Sequence, residues 1–192
     1  MRKLTYFVGA SLDGFIADKD GNFDFFPVGE DVLAHLVAEY PETIPVHVAP
    51  HVGVTPDAEF RHFDTVVMGR ATYDPGLKAG ITSPYSHLRT YVVTRSIVES
   101  PDPTVTLVAD DPVAKVRELK AESGGKGIWL AGGAQLAGAL MAEIDELVIK
   151  TYPILMGTGI PMLAGELDVT PFTRTGGTVL ASGTSVATYS RT

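Results

Sequence analysis

The sequence predicts an α/β protein whose largely parallel β-sheet carries helices on both faces, with an antiparallel hairpin at the C-terminal end making the sheet mixed. Three observations predict it. Short β-rich runs alternate with stretches whose apolar residues recur with the period of a helix. Most of those runs are apolar almost throughout, as strands covered on both faces are. The last two runs instead flank Ser182-Gly183, a turn signal between antiparallel strands.

In chain order, Leu4-Thr5-Tyr6-Phe7-Val8 reads as the first buried strand. Val32, Leu33, Leu36, Val37 and Tyr40 form one apolar helical stripe, and Pro41 ends it. Residues 41–62 hold four prolines and three histidines and show little periodicity, so they are expected to form a long loop or short helix beside a cleft. Strands follow at residues 65–68, 90–94 and 104–108. Asp111 before Pro112 marks a helix start, an N-cap with proline at the first helical position. That helix runs through Val113, Val116 and Leu119 and stops near Ser123-Gly124-Gly125. A strand at 128–131 precedes a helix marked by Leu136, Leu140, Met141 and Ile144. A strand at 146–152 and a hairpin of 176–181 with 184–190 complete the chain.

The chain has 192 residues and a mass of 20.4 kDa, which suits one domain spanning 1–192. Hydrophobic residues at 45% and charged residues at 20% predict a folded core and argue against intrinsic disorder. Cysteine is absent, which excludes disulfides, thiolate zinc sites, iron–sulfur clusters and cysteine nucleophiles. A net charge of −8 argues against nucleic-acid and anionic-membrane partners, leaving a small molecule as the expected ligand. The apolar run after Met1-Arg2-Lys3 is too short for a secretory leader, and 128–141, broken by glycines and Gln135, is too short to span a bilayer. A cytoplasmic location is therefore expected.

Three strand-to-loop junctions carry chemistry. At Leu130-Ala131-Gly132-Gly133-Ala134-Gln135-Leu136, paired glycines between a strand and a helix let a backbone approach a phosphate closely. A tight turn is the alternative reading, and Ala134 and Ala137 stand where a Rossmann fingerprint needs glycine. At Met68-Gly69-Arg70-Ala71-Thr72-Tyr73, a guanidinium and a hydroxyl sit at a helix start, where a solvated arginine is equally common. At Thr94-Arg95-Ser96, two hydroxyls flank a guanidinium, a set suited to an adenosine 2′-phosphate. Ligands of open α/β sheets sit at the carboxyl ends of strands, so three such junctions together are more informative than any one.

His47, His51 and His62 read as loop residues rather than metal ligands, because Pro50 interrupts the one helical pair; no metal is expected. Ser123-Gly124-Gly125-Lys126-Gly127 lacks the pattern of a Walker loop, and no serine-hydrolase elbow occurs.

Ser11-Leu12-Asp13-Gly14-Phe15-Ile16-Ala17, after the first strand, resembles the opening motif of the dihydrofolate reductase-like superfamily. The chain is most similar to the reductase domain of the bifunctional riboflavin-biosynthesis deaminase–reductase. Residues 68–73, 94–96 and 132–136 match in order, followed by Ile144-Asp145-Glu146-Leu147 and by 153–163. Nearly the whole chain is covered, apart from 41–62.

The resemblance implies a three-layer α/β/α fold, NADPH as hydride donor, and a homodimer. By motif position, Gly69, Arg70 and Thr72 meet the cofactor phosphates, and Thr94, Arg95 and Ser96 its adenosine end. Gly132, Gly133, Ala134, Gln135 and Leu136 meet the pyrophosphate, Ile16 packs near the nicotinamide, and a cis peptide joins the paired glycines. Asp13 is the candidate proton donor, against a plain turn residue in Asp13-Gly14. Lys150, in a strand otherwise apolar or hydroxylated, is the candidate contact to an anionic substrate, against an edge lysine that guards a sheet. The reaction implied is hydride transfer to a small imine, aldehyde-derived or heterocyclic carbon, with 5-amino-6-(5-phosphoribosylamino)uracil as the named substrate. Dihydrofolate or another pterin is the rival substrate, although the first helix carries Glu30 and Asp31 at its start, His35 in its interior and Glu39 only near its end. A non-catalytic NADPH-binding or interaction module is the rival class.

Overall fold

The computed structural model describes residues 1–55, 58–166 and 168–192. In chain order the elements are β1 (Leu4–Ala10), β2 (Phe15–Ala17), α1 (Glu30–Glu39), β3 (Phe63–Gly69), α2 (Arg70–Lys78), β4 (Arg89–Val93) and β5 (Val105–Val108). Then come α3 (Pro112–Ala121), β6 (Gly127–Gly132), α4 (Ala134–Ala139), β7 (Glu146–Thr151), β8 (Ile160–Pro161), β9 (Phe172–Val179) and β10 (Ser185–Arg191). Eight strands form one sheet in the order β5-β4-β3-β6-β1-β7-β10-β9, and β2 pairs with β8 beside it. The first six are mutually parallel, and β10 runs antiparallel to both of its neighbours, β7 and β9. This is the mixed, mostly parallel α/β sheet that the sequence predicts.

Alternation along the strands divides the core into two faces. Leu4, Tyr6 and Val8 of β1 join Ile128 and Leu130 of β6 against Val116 and Leu119 of α3 and Leu136 and Ala137 of α4. Phe7, Val66, Met68 and Trp129 point the other way, where Tyr73 of α2 and Leu36 and Tyr40 of the α1 region cover them. Full burial of each such side chain contributes about 1.5–3 kcal/mol, so these two layers fix which face every strand residue takes.

Local chemistry sets several boundaries. Asp111 accepts a hydrogen bond from the Ala114 N–H (2.9 Å), and Pro112 opens α3, as the sequence predicts. α4 is shorter than its apolar period implies: it ends at Ala139, and a separate 3₁₀ turn holds Met141–Glu143. At Gly138 a Cβ would lie 1.8 Å from the Ala164 carbonyl oxygen, so the chain after β8 is pressed against this helix. The hairpin turn lies at residues 180–184, and β9 starts earlier than expected, at Phe172. Its Arg174, Gly176 and Gly177 hide the strand pattern, and Gly177 has φ +142 beside a register shift in β10.

Residues 41–62, with Pro56 and Asp57 outside the described residues, contain 3₁₀ turns at Pro41–Thr43 and Ala49–Val52. Glu42, fully buried, accepts the N–H groups of His62 (2.6 Å) and Phe63 (3.0 Å) through Oε1. The ends of this segment are thereby fastened to the amino end of β3, away from the carboxyl ends where the sequence reading sets the cleft. Among the described residues no helix is long and apolar enough to cross a membrane.

Candidate active site

The sheet splits at its centre. β1 pairs with β6 only as far as Tyr6 opposite Leu130, yet continues beside β7 to Ala10 opposite Thr151. β6 meanwhile stays with β3 to Gly132 opposite Met68. A gap therefore opens between Phe7–Ala10 and Ala131–Gly132, where the carboxyl ends of the strands offer a ligand both backbone and side chains. At the root of the gap the indole N–H of Trp129 donates to the Phe7 carbonyl oxygen (3.3 Å), satisfying a buried acceptor that the ladder has released.

Glycines line one wall. The Gly132–Gly133 peptide bond is cis, and Gly132 has φ +108, a conformation that suits glycine. A Cβ at Gly69 would stand 3.5 Å from Gly133 N and 3.6 Å from Gly132 O, so the ends of β3 and β6 approach with backbone alone. The Thr72 hydroxyl lies 3.6 Å from where a Gly133 Cβ would be, bringing Gly69, Thr72, Gly132 and Gly133 together. Farther on, Gln135 is exposed, whereas Ala134 and Leu136 are buried, Leu136 within the core, so these two meet a ligand at most through backbone.

Beyond the glycines lies a cavity of about 450 Å³ lined by Arg70, Thr94, Arg95, Ser96 and Asp110, among others. Arg70 donates through Nη1 to Ser96 Oγ (2.9 Å) and pairs through Nε with Asp74. Thr94 is buried; its Oγ1 accepts the N–H groups of Ser96 (3.2 Å) and Ile97 (3.3 Å), shaping the turn. The Arg95 side chain is exposed and forms no ion pair among the described residues. Two guanidinium groups and the Ser96 hydroxyl thus share one mouth, a donor set for phosphate.

On the other side of the gap, Asp13 is an acceptor. Its carboxylate takes hydrogen bonds from Ser11 Oγ (2.6 Å), Gly157 N (2.7 Å) and Met156 N (3.1 Å). The Ser11 hydroxyl, followed by the Gly157 amide, holds its pKa below the usual carboxylate value. In this geometry the Asp13 carboxylate clamps the turn after β1 to the segment after β7. Ile16, half-buried on β2, packs against the cluster on the α3 and α4 face.

Lys150 lies inside the sheet rather than on an edge, between Gly9 of β1 and Val186 of β10. Its Nζ stands 4.8 Å from the centre of the Phe7 ring, with no hydrogen bond or ion pair among the described residues. Burial pushes its pKa down to about 8. Gly9 makes the room: a Cβ there would be 2.9 Å from Tyr152 Cε2 and 3.7 Å from Lys150 Cε. Tyr152, whose pKa burial raises, stacks obliquely on Phe26 (5.0 Å between ring centres). In α1, the Nε2 of His35 is buried without a hydrogen-bond partner, and Asp31 accepts the Ser182 (2.7 Å) and Val32 (2.8 Å) N–H groups.

Sequence reasoning missed Tyr152, Phe26, Gly9 and the Trp129 bond to β1. Tyr152 closes a predicted strand and Gly9 interrupts an apolar one, which are faint signals; the other two depend on long-range pairing and leave none.

Residues 2–184 match the model of the RibD C-terminal domain family. The chain is 32% identical over 163 residues to YwjB of Bacillus subtilis (strain 168), covering 84% of this chain and 82% of that protein. A crystal structure from Shewanella sp. PV-4, named for riboflavin biosynthesis, superposes with TM-score 0.73 at 27% identity over 100% of this chain and 99% of that one. The Thermotoga maritima diaminohydroxyphosphoribosylaminopyrimidine deaminase/5-amino-6-(5-phosphoribosylamino)uracil reductase superposes with TM-score 0.64 at 14% identity over 57% of its length, a likeness of fold alone. On the match across residues 2–184, the chain belongs to the RibD C-terminal domain family and carries its dihydrofolate reductase-like fold.

Proposed function

We propose that this protein is an NADPH-dependent reductase that transfers hydride to a small imine, aldehyde-derived or heterocyclic carbon. The observation that carries this reading is one cavity just past β4 that both Arg70, bonded to Ser96, and Arg95 line, next to Gly69 of the glycine wall. Family membership supports a reductase-like role, and a nicotinamide cofactor is the family's reductant.

The residues present fit that cofactor. The Arg95 charge is uncommitted, and Arg70 and Ser96 are already oriented toward each other, a set that answers an adenosine 2′-phosphate. Gly69, Gly132 and Gly133, with the Thr72 hydroxyl beside them, leave backbone-lined space that side chains would fill, as close approach to a pyrophosphate requires. When bound, NADPH supplies the hydride.

What the chain contributes is alignment and charge. Asp13 fixes the segment after β7 relative to the turn after β1, on the β1 side of the gap. Lys150 meets an electron-rich substrate group from inside the sheet. Asp31 is committed to backbone at the start of α1, which favours a substrate other than a pterin protonated from that helix. The named candidate is 5-amino-6-(5-phosphoribosylamino)uracil or a close analogue, reduced by a homodimer in the cytoplasm.

The test is NADPH oxidation by the purified protein with that pyrimidine as acceptor, alongside sedimentation of the free protein. Acceptor-dependent oxidation, weaker with NADH, is expected. Binding of NADPH without oxidation by this or any other imine or aldehyde acceptor would replace the enzyme by a nucleotide-binding module.

A further inference from the structure

The gap needs a proton as well as a hydride, and Asp13 is spent on backbone amides. Among the described side chains facing the carboxyl half of β1 from the α1 side, Lys150 offers an ammonium with neither a hydrogen-bond nor an ion-pair partner, and the neighbouring His35 also leaves its Nε2 unpaired. Its Cε passes over Gly9 and its Nζ rests on the face of Phe7, beside the ring of Tyr152. The titratable groups around it are Tyr152 at the end of β7, and His35 and Tyr40 of the α1 region; β1 and β10 present Phe7, Gly9 and Val186. Among the described residues no carboxylate pairs with it, so the half-buried ammonium rests on one aromatic face.

We propose that Lys150 is the proton donor of the reaction, giving an ammonium proton to the heteroatom of the acceptor's C=N or C=O bond as that bond's carbon receives hydride from the dihydronicotinamide. This rests on the reductase reading above. The π pair of the acceptor moves onto its nitrogen or oxygen and takes the proton, a C–H bond forms from the hydride, and the nicotinamide leaves oxidised. Lys150, left as a neutral amine, recovers a proton from water. A half-buried lysine whose pKa lies near 8 is charged at neutral pH yet gives up its proton readily, as an ordinary surface lysine does not.

Reductive methylation with ¹³C-formaldehyde, followed by NMR titration, tests this without turnover. The signal missing from Lys150→Arg should titrate near 8, more than a unit below the ordinary lysine value of about 10.4, and should shift when NADP⁺ saturates the protein. Turnover of 5-amino-6-(5-phosphoribosylamino)uracil adds a second readout. Lys150→Arg keeps the cation but cannot release a proton, so kcat should fall by about 100-fold or more while KM for the acceptor changes little. An ordinary pKa, or NADP⁺ binding by calorimetry with no shift of this signal, would overturn the proposal and leave the reductase standing. Retained kcat in Lys150→Arg would make the residue a counter-ion only. Failure of NADP⁺ to bind at all would remove the reductase reading, and this step with it.

Discussion

The indole N–H of Trp129 donates to the main-chain carbonyl oxygen of Phe7 across 3.3 Å, where β1 and β6 stop pairing. The bond satisfies an acceptor in the interior while leaving the carboxyl halves of the two strands apart, so a split sheet costs little at its root. Trp129→Phe keeps most of the packing against Phe63 and Tyr85 but leaves that carbonyl unpaired. Urea unfolding should show a loss of about 1–3 kcal/mol, the cost of an unsatisfied buried acceptor.

Glu42 plays the corresponding part for residues 41–62. Its carboxylate receives the His62 and Phe63 N–H groups at a position with no solvent exposure. Glu42→Ala strands both donors and should destabilise the protein by about 2–4 kcal/mol, read from the same unfolding curves. NADPH affinity should change less than twofold, because this fastening lies at the opposite end of β3 from Gly69.

Asp13 predicts a pH dependence whose sign follows from its lowered pKa. A carboxylate with a folded pKa below its unfolded value of 3.8 stabilises the protein above that value, and the contribution fades as pH falls through the folded pKa. Asp13→Asn should therefore melt below the wild type at neutral pH, with the two melting temperatures converging as acid protonates the wild-type carboxylate. A gap that stays constant into acid would contradict the clamp.

Gly138 predicts a steric limit. A Cβ there would sit 1.8 Å from the Ala164 carbonyl oxygen, a backbone atom that cannot swing aside. Gly138→Ala should cost about 1–3 kcal/mol despite alanine's better helix propensity, and more if the segment after β8 is dislodged. Thermal unfolding checks it.

Much of the fold is legible in the sequence because strand and helix periods are local properties. The runs at 4–8, 65–68 and 128–131 fall inside β1, β3 and β6, and the Asp111-Pro112 signal opens α3. What stays hidden is set by distant neighbours. Ala164 backs onto Gly138 beside the early end of α4, and glycines within β9 mask a strand that pairs with β10. The same division runs through the site. Arg70, Arg95 and Ser96 are legible as strand-end residues, since a guanidinium at such a junction has a recognisable chemistry. Asp13 reads as a candidate acid or a turn residue, and the amides of Met156 and Gly157 that donate to its oxygens come from the far end of the chain, where no local pattern shows them. Lys150 reads as either a substrate contact or an edge lysine, and only the pairing of β10 along the outer side of β7 removes the edge reading.

The central claim is a cofactor site that recognises the 2′-phosphate through Arg95. Calorimetric titration of the purified protein with NADPH and with NADH tests it most directly. NADPH should bind saturably and at least about tenfold tighter than NADH, and Arg95→Ala should lose most of that preference, in line with about 1.5–3 kcal/mol for a hydrogen bond to a charged group. Equal affinity for the two nucleotides, or no binding of either by a folded protein, would contradict it.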